Sequence, residues 1–284
     1  MEILTKFRIG ALLIAVTASS ALFAQNKGSD KPPNQPIVQD ARQIVSQSLV
    51  AAELSWQARN EYIYMERDED RRLDSAGQVQ SQNVDVTKMT LVNGIRFEEL
   101  MEHNGQLPSA DDQKKRDVDI EKLKHETTAE QAERLRKDQD NRSFLHVLLE
   151  AFDFRLVGEE IVDGRPAYVL EATPHPGYHA SGKYGKLLAR VQGKLWVDKQ
   201  DFGWVKVDGE VTQSFSMGLF VARVQRGSHI LLEQICLGDA VWVPKRLEVR
   251  ASAKILFLKS LELERILTYS DYRPAADGPY SVKK

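Results

Sequence analysis

Residues 193–211 read GKLWVDKQDFGWVKVDGEV, two alternating runs around a short polar turn. No other stretch constrains the fold as much. Side chains alternate along a strand, so each run presents one apolar side. Leu195 and Val197 share that side in the first run; Val205, Val207 and Val211 share it in the second. The turn between them ends in Gly203, which suits a hairpin with a longer loop. Trp196, Lys206, Asp208 and Glu210 take the opposite face, with Trp204 at its edge. The pattern predicts one hairpin of a large antiparallel sheet that is greasy on one side.

The chain around this hairpin reads as an exported protein. Lys6 and Arg8 precede an apolar stretch from Ile9 to Ala24, too short for a membrane span of about 20 residues. Residues 1–24 are expected to be a signal peptide cut after Ala24, with an uncleaved anchor helix as the alternative. Residues 25–36 are polar and contain three prolines, as a disordered linker would. The only cysteine is Cys236, which excludes an internal disulfide and an N-terminal lipid anchor near the cut. The net charge of −2 gives no electrostatic case for nucleic acid or a polybasic membrane patch. No later apolar run approaches about 18 residues, so no stable membrane span is expected.

Asp40 to Ala58 predicts a helix capped by Asp40, with Ile44, Val45, Ser48, Leu49 and Ala52 as a narrow stripe. Strands follow at Glu61 to Arg67, Val79 to Val92 and Ile95 to Glu102, the last two joined at Asn93-Gly94. The second is polar enough for an exposed or edge strand. A highly charged insert, 109–151, interrupts the sheet. A capping box at Thr127 and Glu130 splits it into two helices. Its charged face is a solvated surface or the outside of a movable cover. Strands resume at Phe154 to Ile161 and Pro166 to Ala172, joined at Asp163-Gly164, and continue beyond the central hairpin. In the run from Val241 to Ser252, Val241, Val243, Leu247, Val249 and Ala251 share a face. Residues 37–273 are expected to form one α+β domain, and 274–284 a loose tail.

No catalytic or metal-binding pattern emerges, and no cofactor is expected. Residues 177–184 approximate a phosphate-binding loop, but Tyr184 stands where a Mg²⁺-ligating hydroxyl belongs. His175 and His179 are four apart, yet Pro176-Gly177 denies them a common helix face. Glu159 and Glu160 point to opposite sides of a strand. Cys236 sits in an apolar run and reads as an inert thiol. Trp196, Trp204 and Trp242 lie on the nominally polar faces of their strands. Either helices cover them as a second core layer, or they form an exposed patch for a partner.

The order of elements resembles the LolA/LolB fold of exported proteins often called outer-membrane lipoprotein-sorting proteins. The phrases that carry the likeness are GKLWVDKQDFGWVKVD (193–208), AVWVPKRLEV (240–249) and AFDFRLVGEEIVDGRPAYVLEATP (151–174). The resemblance implies a curved antiparallel sheet, an incomplete β-barrel, covered by the N-terminal helix and the inserted helical pair. It further implies a periplasmic, non-catalytic carrier or binder of lipid or lipoprotein acyl chains. On that reading Leu195, Val197, Val205, Val207, Leu247 and Val249 line an apolar cavity. Two other readings stay open. One is a sensor or scaffold with a filled core that binds an envelope protein through Trp196, Trp204 and Trp242. The other is a hydrolase with a dispersed site.

Overall fold

The computed structural model describes residues 40–179, 184–217, 222–255 and 259–275. The expected signal peptide and linker, and residues 276–284 of the expected tail, lie outside them. So do residues 180–183 of the segment that resembles a phosphate-binding loop.

Helix α1, Ala41–Arg59, starts where Asp40 accepts a hydrogen bond from the Arg42 N–H. Ile44, Val45 and Ser48 are fully buried on its inner side. Three strands form a meander: β1 (Tyr62–Leu73), β2 (Val79–Val92) and β3 (Ile95–His103). Two helices follow, α2 (Ala110–Lys124) and α3 (Thr128–Ala151), each opened by a capping box. Thr127 and Glu130 form the second box, at the split read from the sequence; Ser109 and Asp112 form the first. The rest is β4 (Phe152–Val162), β5 (Arg165–Pro174), the single-turn α4 (Gly185–Leu188), β6 (Val191–Asp198), β7 (Trp204–Val211), β8 (Phe215–Met217), β9 (Ala222–Val224), β10 (His229–Cys236), β11 (Trp242–Ile255) and β12 (Lys259–Pro274).

Ten strands make one antiparallel sheet in the order β3-β2-β1-β12-β11-β10-β7-β6-β5-β4, and the β8–β9 hairpin attaches to β11. The path does not close into a barrel: β3 and β4 are its two edges. The chain passes from one edge to the other through α2 and α3. Helix α2 packs on β2 and β3, and α3 on β4 and α1. At about 1.5 Å per residue, the 24-residue α3 reaches some 36 Å.

Two expectations need correcting. Of the two readings of β2, exposed or edge, the first holds for its opening residues, and the second does not, since β2 pairs with both β1 and β3. Strand β1 continues past Arg67 through DEDRR to Leu73, although that string is too charged to read as a strand. Its charges pair laterally: Arg71, Glu264 and Arg250 stand in register on β1, β12 and β11. Glu264 accepts from Arg71 at 2.8 Å and from Arg250 at 2.6 Å. Opposite charges side by side stabilise a sheet where an isolated run would not hold. Strand β12 likewise extends to Pro274, which faces Tyr62.

Glycine sets how closely β6 and β7 approach. Gly193 and Gly209 face each other in register. A Cβ on Gly193 would lie 2.1 Å from the Asp208 carbonyl oxygen. Only glycine permits so close an approach of the two backbones.

Candidate functional site

The helix-facing side of the sheet carries a lateral row of apolar residues. Leu156 pairs with Leu170, Leu170 with Leu195, Leu195 with Val207, and Val207 with Leu232. Leu232 then pairs with Leu247, and Leu247 with Leu267. Directly paired residues project to the same side, so one aliphatic side chain from each of seven strands, β4 through β12 along the path, lies in one line. Ile230 and Val249 pair in the next row.

Burial divides this line. Leu170 and Val197 are 0% exposed beneath α1, as are Ile44 and Val45 of the helix. A side chain with no accessible surface borders no void wide enough for water, so this part is solid core. Leu267 is also buried, near Tyr64 and Tyr269. Between the closed ends, Val207, Leu232 and Leu247 are only half-buried, and so are Ile230 and Val249. The concave face thus has a packed end and an open middle.

Of the six cavity candidates, Leu195 and Val197 fall in the packed end, and Val207, Leu247 and Val249 in or beside the open middle. Val205 does not belong with them. The β6–β7 register shifts between Trp196 and Val197, so Val197 faces Trp204 while Trp196 faces Lys206. A bulge puts two residues opposite one and breaks the alternation. Val205 therefore packs with Trp196, Trp242, Ala167 and Val169 in a second cluster. Trp204 takes the opposite side from the one expected, under α1, where its indole Nε1 donates to Ser48 Oγ at 3.0 Å.

The tryptophans form no exposed patch: Trp196, Trp204 and Trp242 are 6%, 7% and 3% exposed. Trp196 and Trp242 are enclosed from several sides: Ser55 of α1 accepts from the Trp242 backbone N–H at 3.1 Å, Gly203 lies against the Trp242 ring, and polar side chains pack near both rings. Trp196 donates to Glu160 at 2.8 Å, and the Lys206 ammonium sits 4.7 Å from its ring centre. The Arg165 guanidinium lies 5.3 Å from the Trp242 ring. These are cation–π contacts that let a ring close to the surface stay dry.

A cleft of roughly 620 Å³ opens at the turn end of the sheet, lined in part by Val162, Arg165, Asp201, Val205, Cys236 and Trp242. Its charged groups are already engaged. Arg165 grips Asp198 with two hydrogen bonds, at 2.8 and 3.0 Å. Asp198 also accepts from the N–H groups of Gln200 and Asp201. Burial works to raise the Asp198 carboxyl, but Arg165 and the two amides hold it below the ordinary carboxylate range. This is a turn-fixing ion pair. Burial pushes the Cys236 thiol up, against what a nucleophile needs. His175 is exposed and contacts Asp153 at 2.9 Å. No metal-holding cluster of His, Cys, Asp and Glu occurs among the described residues.

The comparisons bear on this architecture. No known family profile matches the chain, and no curated protein matches it. Among solved structures it is similar to a DUF1329 family protein from Desulfovibrio piger, at 13% identity over 85% of this chain and 95% of that one, with a TM-score of 0.28. It is also similar to a domain assigned to outer membrane lipoprotein sorting from Vibrio parahaemolyticus, at 12% identity over 82% and 94%, TM-score 0.27. A LolA superfamily protein from Nitrosomonas europaea gives 10% identity over 82% and 93%, TM-score 0.22. Likeness this slight transfers no residue role. The arrangement implied by the LolA/LolB resemblance, helices on an open, curved antiparallel sheet, is the one described above. No helix among the described residues is long and apolar enough to cross a membrane.

Proposed function

We propose that the protein is a non-catalytic binder of the bacterial periplasm that holds acyl chains of lipid or lipoprotein against the open middle of its concave face. One observation carries this reading. The aligned row Val207, Leu232 and Leu247 is continuous with solid core on one side and buried Leu267 on the other, yet stays half-open itself. A saturated chain laid along it gains about 0.8 kcal/mol for each CH₂ removed from water. The helical pair spans the chain between the two sheet edges, α2 packing on β2 and β3 and α3 on β4 and α1, and on this reading it limits access to the row. A cavity beneath α1 is not part of the proposal, because Leu170, Val197, Ile44 and Val45 leave no room there.

A second reading, a scaffold for an envelope protein, is favoured by the same solid packing under α1. Native mass spectrometry of protein purified from the periplasm separates the two. Co-purifying lipid, or uptake of added acyl probes, supports the binder. Bare protein that takes up no probe leaves the scaffold.

A further inference from the structure

Beyond Leu247 and Leu267 the concave face changes character. Arg59, the last residue of α1, is 3% exposed, and its Nε and Nη2 have no hydrogen-bond partner. Its guanidinium lies 3.9 Å above the Trp56 ring. The charge that acts on it most strongly is another cation, Arg96 of β3, and then the hydroxyls of Tyr64, Tyr272 and Tyr269. Burial, reinforced by Arg96, pulls the Arg59 guanidinium down to about 10. Arg96 donates to the Tyr64 hydroxyl and lies 5.6 Å from that ring. Tyr64 packs edge-on against Tyr269 at 5.9 Å and tilted against Tyr272 at 4.9 Å. Carboxylates share the concavity without satisfying Arg59. Burial, then Glu98 and Asp68, push the Glu66 carboxyl up to about 7, which weakens it as a counter-charge.

A buried guanidinium with two idle donors, beside a second guanidinium, is costly for a fold to keep without an anion. Guanidinium groups present planar donor forks that fit phosphate and carboxylate oxygens. We propose that Arg59 and Arg96 form a receptor for the phosphate head of an amphipathic guest, walled by Trp56, Tyr64, Tyr269 and Tyr272, with the guest's chain lying on the apolar row. The idle nitrogens are enclosed in the unliganded fold. The placement of the chain rests on the acyl-binding reading; the anion receptor does not.

The test titrates the intact protein with dodecyl phosphate, dodecyl maltoside and inorganic phosphate by calorimetry, for the wild type and for Arg59→Met and Arg96→Gln. Dodecyl phosphate should bind the wild type more tightly than dodecyl maltoside. Each substitution should weaken the phosphate amphiphile on the order of tenfold or more, as loss of a charge-assisted contact does, and leave the maltoside within about twofold. Arg59→Met should also melt no lower than the wild type without ligand, because it removes an unpaired buried charge. That separates a ligand site from a structural one, and Arg96→Gln, at a half-buried position, covers a folding failure of the first variant. Equal weakening of both amphiphiles, or of neither, overturns the receptor. Binding of inorganic phosphate without either amphiphile keeps the receptor and removes the acyl reading; binding of none of the three removes both.

Discussion

The indole of Trp204 on β7 donates to the hydroxyl of Ser48 on α1, 156 positions away in the chain, and both side chains are buried. Ser48 in turn donates to the Val45 carbonyl at 2.8 Å. The helix is thus fixed to the sheet by a polar link inside an otherwise apolar layer. Ser48→Ala should cost about 1–3 kcal/mol, because the indole N–H is left buried and unpaired. Urea unfolding would read this as a lowered midpoint at unchanged slope. An unchanged midpoint would mean the link does not hold α1.

The facing pair Gly193 and Gly209 predicts a harsher outcome. Gly193→Ala drives a methyl into the Asp208 carbonyl, with backbone on both sides of the clash. The sheet must open locally, at a cost on the order of 4 kcal/mol or more. Gly158→Ala, where a Cβ would meet nothing within 4 Å, is the matched control and should be near neutral. Similar melting temperatures for the two variants would contradict the glycine account of this close approach.

The divided row predicts that stability and binding separate by position. Leu195→Ala, in solid core, should lose about 2–5 kcal/mol of stability. Leu232→Glu, in the half-open middle, should lose acyl-probe binding while the protein stays folded. Circular dichroism melting and probe fluorescence on the same samples check both. Undiminished binding in Leu232→Glu would sink the proposed location of the chain.

Glu66 predicts a pH dependence near neutrality. Its folded-state carboxyl titrates near 7, above the usual unfolded value of about 4.3. Below the unfolded value the group is protonated in both states. Between that value and about 7 the unfolded chain has given up the proton while the folded state still holds it, so this contribution to stability falls across the window and levels off above it. The Glu66→Gln variant should be more stable than wild type at pH 8, by about 1–3 kcal/mol, and nearly equal at about pH 4. Thermal melts at the two pH values test it.

Asp198 works in the other direction. Its folded-state carboxyl is held low, so its contribution is present above the unfolded value and disappears as pH drops through the folded one. Asp198→Asn should cost about 3 kcal/mol at pH 7, since it strips Arg165 of a buried counter-charge. The deficit relative to wild type should shrink in acid.

Much of this architecture was legible in the linear chain, because it rests on local chemistry. Asp40 and Thr127 cap helices through bonds to amides two or three residues on, and Asn93-Gly94 and Asp163-Gly164 adopt the positive φ that tight hairpins need. The alternation of Leu195, Val207, Leu247 and Val249 placed them on one face without coordinates. Features that depend on partners distant in sequence were not readable. The bulge that sends Val205 one way and Trp204 the other exists only in the pairing of β6 with β7. The strand character of DEDRR comes from charges on β11 and β12, and the burial of Trp196 and Trp242 comes in part from Glu160, Lys206, Arg165 and Gly203. Periodicity assigned a side chain to a face; register, burial and the unmatched charge of Arg59 were decided when distant segments met, because each is a property of the contact and not of the residue.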